Sequence, residues 1–121
     1  MKESLSELYD ICNKSIELDG WMKDTGFKNY CKEVSKEAEE VQKALDNEDM
    51  DNLKEELGDV LMDLMNACIL AEKEGVFDSR EVVESVVSKI RRRRPYLEEG
   101  RKVSKEESVR LWLEAKRKEK E

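Results

Sequence analysis

Two pairs of carboxylates stand at helical spacing in this chain: Glu37 and Glu40 in KEAEEV, and Glu56 and Asp59 in EELGD. Residues three apart on a helix project from one side, so each pair can present two carboxylates to a common site. A further acid, Asp63, lies one turn beyond Asp59, inside the apolar run VLMDLMNACIL. Asp59 has Glu55 four residues before it and Asp63 four after, and Glu56 has Asp59 three after, so local pairing is repulsive. Like charges drawn into a groove of low dielectric must be neutralised by protonation, by bases from elsewhere in the chain, or by a cation. Two such pairs on adjacent antiparallel helices would form a carboxylate cage. Oxygen ligands alone, with no His or Cys, suit Mg²⁺ or Mn²⁺ and not zinc. The plainer alternative is an ordinary salt-bridged surface, with Glu40 paired to Lys36 or Lys43. Spacing alone leaves both open.

Complementary charge follows in KIRRRRPY, where Lys89 and Arg93 share a helix face. Bases in a last turn complement the helix macrodipole without any ligand. Arginine forks gathered there could equally clamp a polyphosphate. Further on, Trp112 and Lys116 repeat the same spacing. A tryptophan usually belongs to a core, but an exposed one can stack on a nucleobase.

Composition narrows the chemistry. The chain has 121 residues, 30 acids against 23 bases, a net charge of −7 and no histidine. Histidine-dependent catalysis is therefore excluded, and an acidic whole is a poor generic partner for nucleic acid or an anionic membrane. The three cysteines, Cys12, Cys31 and Cys68, show no CxxC spacing and read as reduced, mostly buried thiols. The longest apolar run falls well short of the roughly 20 residues that span a bilayer, and the opening MKESLSELYD has no signal-peptide pattern. A cytoplasmic protein is expected.

The elements that must position these groups are helices. Charged residues make up 44% of the chain and there is only 1 proline, a composition of long helices rather than sheets. Periodicity and punctuation predict five, at about 4–18, 29–45, 50–73, 79–94 and 105–118. Gly20, Trp21 and Gly26 are expected in a loop before the second, whose stripe is Val34, Ala38, Val41 and Leu45. The segment YLEEGRKVS is expected as a loop, with Ser104 and Glu107 as a capping box opening the last helix. On the third helix, Leu53, Val60, Leu61, Leu64 and Cys68 fall within about 60° of Leu57 as a core stripe. Glu56, Asp59, Asp63 and Asn66 form a polar strip on another side, bordered by Met62, Ile69 and Leu70. A helix apolar on so much of its circumference is expected to be buried against more than one neighbour, with its acid strip facing an interior groove. One all-α domain spanning 1–121 is expected, its bundle of about five helices completed by oligomerisation.

Taken together, KEAEEV, EELGD, EKEGVFD, KIRRRRPY and the terminal W-x-x-x-K resemble the MazG family of nucleoside triphosphate pyrophosphohydrolases, from roughly Gly20 onward. The family motif is EExxE, a spacer, then ExxD. The resemblance implies a MazG-like all-α fold completed between subunits as a homodimer or homotetramer. It implies Glu37, Glu40, Glu56 and Asp59 as Mg²⁺ ligands and catalytic residues. Lys89, Arg93, Trp112 and Lys116 match positions around the nucleotide's phosphates and base, and Asn66 a polar position near the substrate in some members. Asp63 lies outside the motif and is at most a supporting residue. The implied reaction is hydrolysis of a nucleoside triphosphate between its α and β phosphates, in nucleotide-pool house-cleaning. The alternatives are a narrower dUTP/dCTP or phosphoribosyl-ATP pyrophosphohydrolase and a non-catalytic helical module that binds a partner. Two departures stand out: Lys36 replaces the first Glu of EExxE, and DGWMKDTGF replaces a CPWD-x-x-Q-T segment, keeping only Trp21 of its core.

Overall fold

Three helix starts are fixed by capping side chains. Asp19 Oδ1 accepts from Trp21 N at 3.0 Å, Asp49 Oδ1 from Asn52 N at 3.1 Å, and Ser104 Oγ from Glu107 N at 3.1 Å. The computed structural model describes residues 1–121. Its helices are α1 (Lys2–Leu18), α2 (Gly20–Asp46), α3 (Met50–Lys73), α4 (Ser79–Arg93), α5 (Tyr96–Glu99) and α6 (Lys105–Glu119), with no strand. The expected all-α architecture holds. The chain falls into two compact units, Met1–Ser79 and Arg80–Glu121.

Two segments expected as loops are helical. The Gly20–Gly26 stretch joins α2, because Asp19 caps Trp21 and the helix continues across a kink at Gly26. Gly26 has φ 79° and ψ 161°, a conformation essentially confined to glycine. The kink frees Phe27 N, and the Glu74 carboxylate takes it at 2.8 Å, capping the second half of α2 from 47 residues away. The other is Tyr96–Glu99, one turn that follows Pro95 and ends at Gly100 in the left-handed conformation. The capping box forms by half: Ser104 caps Glu107 N, while the Glu107 side chain turns to Arg101 Nη1 at 3.3 Å.

In Met1–Ser79, α3 packs chiefly on α2 and then on α1. Cys12 and Ile16 of α1, Met22 and Tyr30 of α2, and Ala67, Ile69 and Leu70 of α3 make the core. The Tyr30 hydroxyl donates to Met22 Sδ at 2.8 Å, so it is buried with a partner. The expected core stripe of α3 is overturned. Leu57, Leu61 and Leu64 are 49%, 46% and 45% exposed, whereas Asp63, Asn66, Ala67, Ile69, Leu70 and Ala71 are buried. The polar strip, not the leucine stripe, faces α1 and α2, because small residues along that side let the helices approach. On α2 the expected stripe holds in part: Val34 and Val41 are half-buried and Tyr30 and Ala44 buried, whereas Ala38 and Leu45 are exposed. Cys31 is exposed as well, against the expectation of mostly buried thiols, while Cys12 is buried and all three cysteines are free.

Arg80–Glu121 is organised differently. Neither α4 nor α6 buries a side chain, and Val82, Val83, Val86 and Val87 of α4 are all exposed. Its one buried hydrophobic side chain is Tyr96, whose hydroxyl is 3.2 Å from Ser108 Oγ. No helix of either unit is long and apolar enough to cross a membrane.

Candidate functional site

On the polar face of the first unit, Glu37 of α2 meets Glu56 and Asp59 of α3. One carboxylate oxygen from each lies within 4.8 Å of the other two. The helix spacing explains the α3 pair, and the α2–α3 packing brings the third acid across. Glu56 and Glu37 share a hydrogen bond, which is the largest influence holding the Glu56 carboxyl above the ordinary carboxylate range. Desolvation and the charges of Glu37, Asp59 and Glu40 push it the same way. Glu37 Oε2 is nevertheless buried with no partner. No basic side chain is paired with Glu37, Glu56 or Asp59. A trio of acidic oxygens and one orphaned acceptor fit a hard divalent cation, and their all-oxygen chemistry fits Mg²⁺ or Mn²⁺.

Glu40 is placed differently from these three. It is near enough for its charge to raise Glu56, but its carboxylate sits on Lys43 Nζ at 3.2 Å. Lys36, at the first position of the acidic motif, pairs with Glu33 Oε1 at 3.1 Å and so does not neutralise the trio.

Beyond Asp59 the strip enters the protein. Asp63 is 5% exposed and Asn66 is 3% exposed. Burial, followed by the charges of Glu33 and Asp59, raises the Asp63 carboxyl. Asn66 Oδ1 is buried without a partner.

The second unit assembles a cationic cluster. Arg93 Nη2 donates to Glu119 Oε2 at 2.9 Å, and Arg93 Nε reaches Glu119 Oε1 at 3.4 Å. Arg92 Nε donates to the same Glu119 Oε1. The Arg93 guanidinium carbon lies 4.7 Å from the Trp112 ring centroid and that of Arg94 lies 5.1 Å away. The tryptophan expected beside a nucleobase thus has two arginines as its partners in this structure. Lys89 and Lys116 are exposed. Within Arg80–Glu121 the structure therefore joins Arg93 and Trp112, and adds three residues that spacing did not single out: Arg92, Arg94 and Glu119. No local periodicity relates residue 93 to residue 119; their pairing is a side-chain contact between the ends of α4 and α6.

The domain model described as the MazG nucleotide pyrophosphohydrolase domain matches residues 25–98. An uncharacterized protein, YabN, of Bacillus subtilis (strain 168) is 33% identical over 101 residues, covering 83% of this chain and 21% of that protein. A nucleoside triphosphate pyrophosphohydrolase of Escherichia coli (strain K12) is 32% identical over 77 residues, covering 64% of this chain and 29% of that enzyme. The chain thus spans 21% and 29% of the lengths of these relatives. The crystal structure of a mazG-related protein from Thermotoga maritima superposes with a TM-score of 0.85 at 29% identity, covering 93% of this chain and 98% of that one.

Proposed function

The chain belongs to the MazG nucleotide pyrophosphohydrolase family, and from that premise we propose that it hydrolyses nucleoside triphosphates between the α and β phosphates. The products are a nucleoside monophosphate and pyrophosphate, and the role is house-cleaning of the nucleotide pool. The observation that carries the reading is the trio Glu37, Glu56 and Asp59, three acids within 4.8 Å with no basic partner among them. Mg²⁺ or Mn²⁺ would be held by these residues, joined by Glu40 once its side chain leaves Lys43. When bound, the ion supplies charge neutralisation and Lewis-acid polarisation of phosphate oxygens.

The chain's own side chains do the remainder. Water forms the new P–O bond at the α phosphorus, the bridging P–O bond to the β phosphate breaks, and the electron pair leaves with pyrophosphate. With no histidine in the sequence, the proton from the attacking water passes to a carboxylate or to solvent. Lys89, Arg93 and Lys116 bind the phosphates and stabilise charge on the departing pyrophosphate. Trp112 is assigned to the nucleobase, Asn66 is a polar residue assigned to the substrate, and Asp63 supports Asp59 from one turn away. The exposed leucines of α3 and valines of α4 are the surfaces on which a homodimer or homotetramer would close.

The test is product analysis over a panel of canonical and modified nucleoside triphosphates, with Mg²⁺ and with EDTA. Metal-dependent release of equal amounts of monophosphate and pyrophosphate is expected. Orthophosphate as the sole phosphorus product would refute the assigned bond, and no product from any nucleotide would favour a binding module.

A further inference from the structure

Glu119 is the acid that bridges the two successive arginines Arg92 and Arg93. Its carboxylate holds Arg93 through Nη2 at 2.9 Å and Nε at 3.4 Å, and Arg92 through Nε. The two arginines hold the Glu119 carboxyl down at about 2, below the 4.5 of an ordinary glutamate. Arg93 is the most enclosed of the bridged cations, its side chain only 12% exposed. Its guanidinium is fixed twice, in its plane by the carboxylate and across its plane by the Trp112 ring. A guanidinium has five N–H donors, and Glu119 uses only those on the Nε and Nη2 side. The hydrogen bonds of Arg93 to Glu119 run from Nε and Nη2, leaving the Nη1 edge of the fork outside that pair.

We propose that Glu119 is a positioning residue for polyphosphate binding: by anchoring the Nε–Nη2 edge of Arg93 against Trp112, it presents the Nη1 side to a phosphate. The inference rests on the pyrophosphohydrolase reading and adds to it a residue outside the motif. Successive arginines repel, and a free arginine populates many rotamers. One carboxylate bridging Arg92 and Arg93 removes both costs before the ligand arrives, which is preorganisation. The bridge does not cancel the attraction for anions, because Arg92, Arg93 and Arg94 together outnumber the single carboxylate.

The experiment is calorimetric titration of inorganic pyrophosphate into the full chain, beside steady-state hydrolysis of the best nucleoside triphosphate. Glu119→Gln is expected to weaken pyrophosphate binding about 5-fold to 10-fold, the size expected when one rotamer-rich side chain loses its fixed orientation. KM rises by a similar factor, and kcat changes by less. Glu119→Asp, which keeps the charge, recovers part of the loss and serves as the readout if Glu119→Gln folds poorly by circular dichroism. With Arg93→Lys already present, Glu119→Gln adds less than a further 2-fold, because its effect passes through the Arg93 fork. Unchanged or tighter pyrophosphate binding by Glu119→Gln would overturn the proposal, as would an equal loss in both Arg93 backgrounds. If wild-type chain hydrolyses no triphosphate, the functional reading fails, while the pyrophosphate titrations still decide the role of Glu119.

Discussion

The acids of Met1–Ser79 and the bases of Arg80–Glu121 are held in place by opposite means. Glu37, Glu56 and Asp59 sit on helices clamped by a shared core of Ile16, Ile69 and Leu70, and no counter-ion within the chain meets them. Arg92 and Arg93 end a helix that buries no side chain, Arg94 follows it, and all three are arranged by Glu119 and Trp112 instead. Packing can force like charges together because burial energy elsewhere on the same helices offsets their repulsion. Charge pairing at a surface is individually weak and salt-sensitive, so it can aim a side chain without making the element rigid. A cation centre needs the first arrangement. A phosphate clamp works with the second.

The largest effect that sharpens this contrast is on turnover. Glu56→Gln and Asp59→Asn should each lower pyrophosphate release by about 100-fold or more, the scale seen when a group stabilising transition-state charge is lost. Helix content by circular dichroism should stay unchanged, since neither side chain belongs to the core. Activity near wild type in either variant would dissolve the distinction between the units.

Stability should divide the same way. Ile69→Ala removes a fully buried side chain and should cost about 2–5 kcal/mol in chemical denaturation. Val83→Ala, at a position 60% exposed, should cost less than about 0.5 kcal/mol when the chain is monomeric. A large Val83→Ala penalty that grows with protein concentration would instead locate an interface on α4.

Gly26→Ala probes the joint that lets α2 contribute both Met22 and Tyr30 to the core. Its φ of 79° and ψ of 161° make a side chain there strained by about 1–3 kcal/mol, read as a fall in the denaturation midpoint. No change would mean that the kink relaxes freely.

The smallest effects are in pH dependence, and they run in opposite directions. Asp63 is held above its ordinary 3.8 by burial, so the folded chain binds that proton more tightly than the unfolded chain. Stability therefore rises as pH falls through its folded range, and Asp63→Asn should be more stable than wild type near neutrality, with the gain closing in acid. Glu119 is lowered from 4.5 to about 2 by Arg93 and Arg92, so its pairing is fully present above 4.5 and is lost as pH falls toward 2. Glu119→Gln should melt below wild type near neutrality and converge with it over that acid range. Thermal melts across pH distinguish the two, and parallel curves for both variants would contradict the assignment.

Sequence patterns carried the helical class, the acid pair on α3 and the basic end of α4, since each depends on short-range spacing. They failed where side-chain size or distant partners decided the outcome. Apolar periodicity put Leu57, Leu61 and Leu64 inward, yet Ala67 and Ala71 permit close approach on the other face and carry Asp63 and Asn66 inward with them. Gly26 looked like a loop signal because its dihedrals are indeed non-helical, but Glu74 caps the resumed helix. Glu37 was legible as one of a pair; that it, rather than Glu40, meets Glu56 and Asp59 follows from the α2–α3 packing and from Lys43. Glu119 was invisible because an ion pair across 26 residues has no period.

The most direct test of the metal centre needs no substrate: titration of Mn²⁺ into wild-type chain and into Glu56→Gln and Asp59→Asn, followed by electron paramagnetic resonance of the free ion. Saturable loss of the free-ion signal with wild type, abolished or strongly weakened in both variants, is the predicted result. Mn²⁺ binding of equal strength in wild type and both variants would contradict it and return the three carboxylates to an ordinary acidic surface.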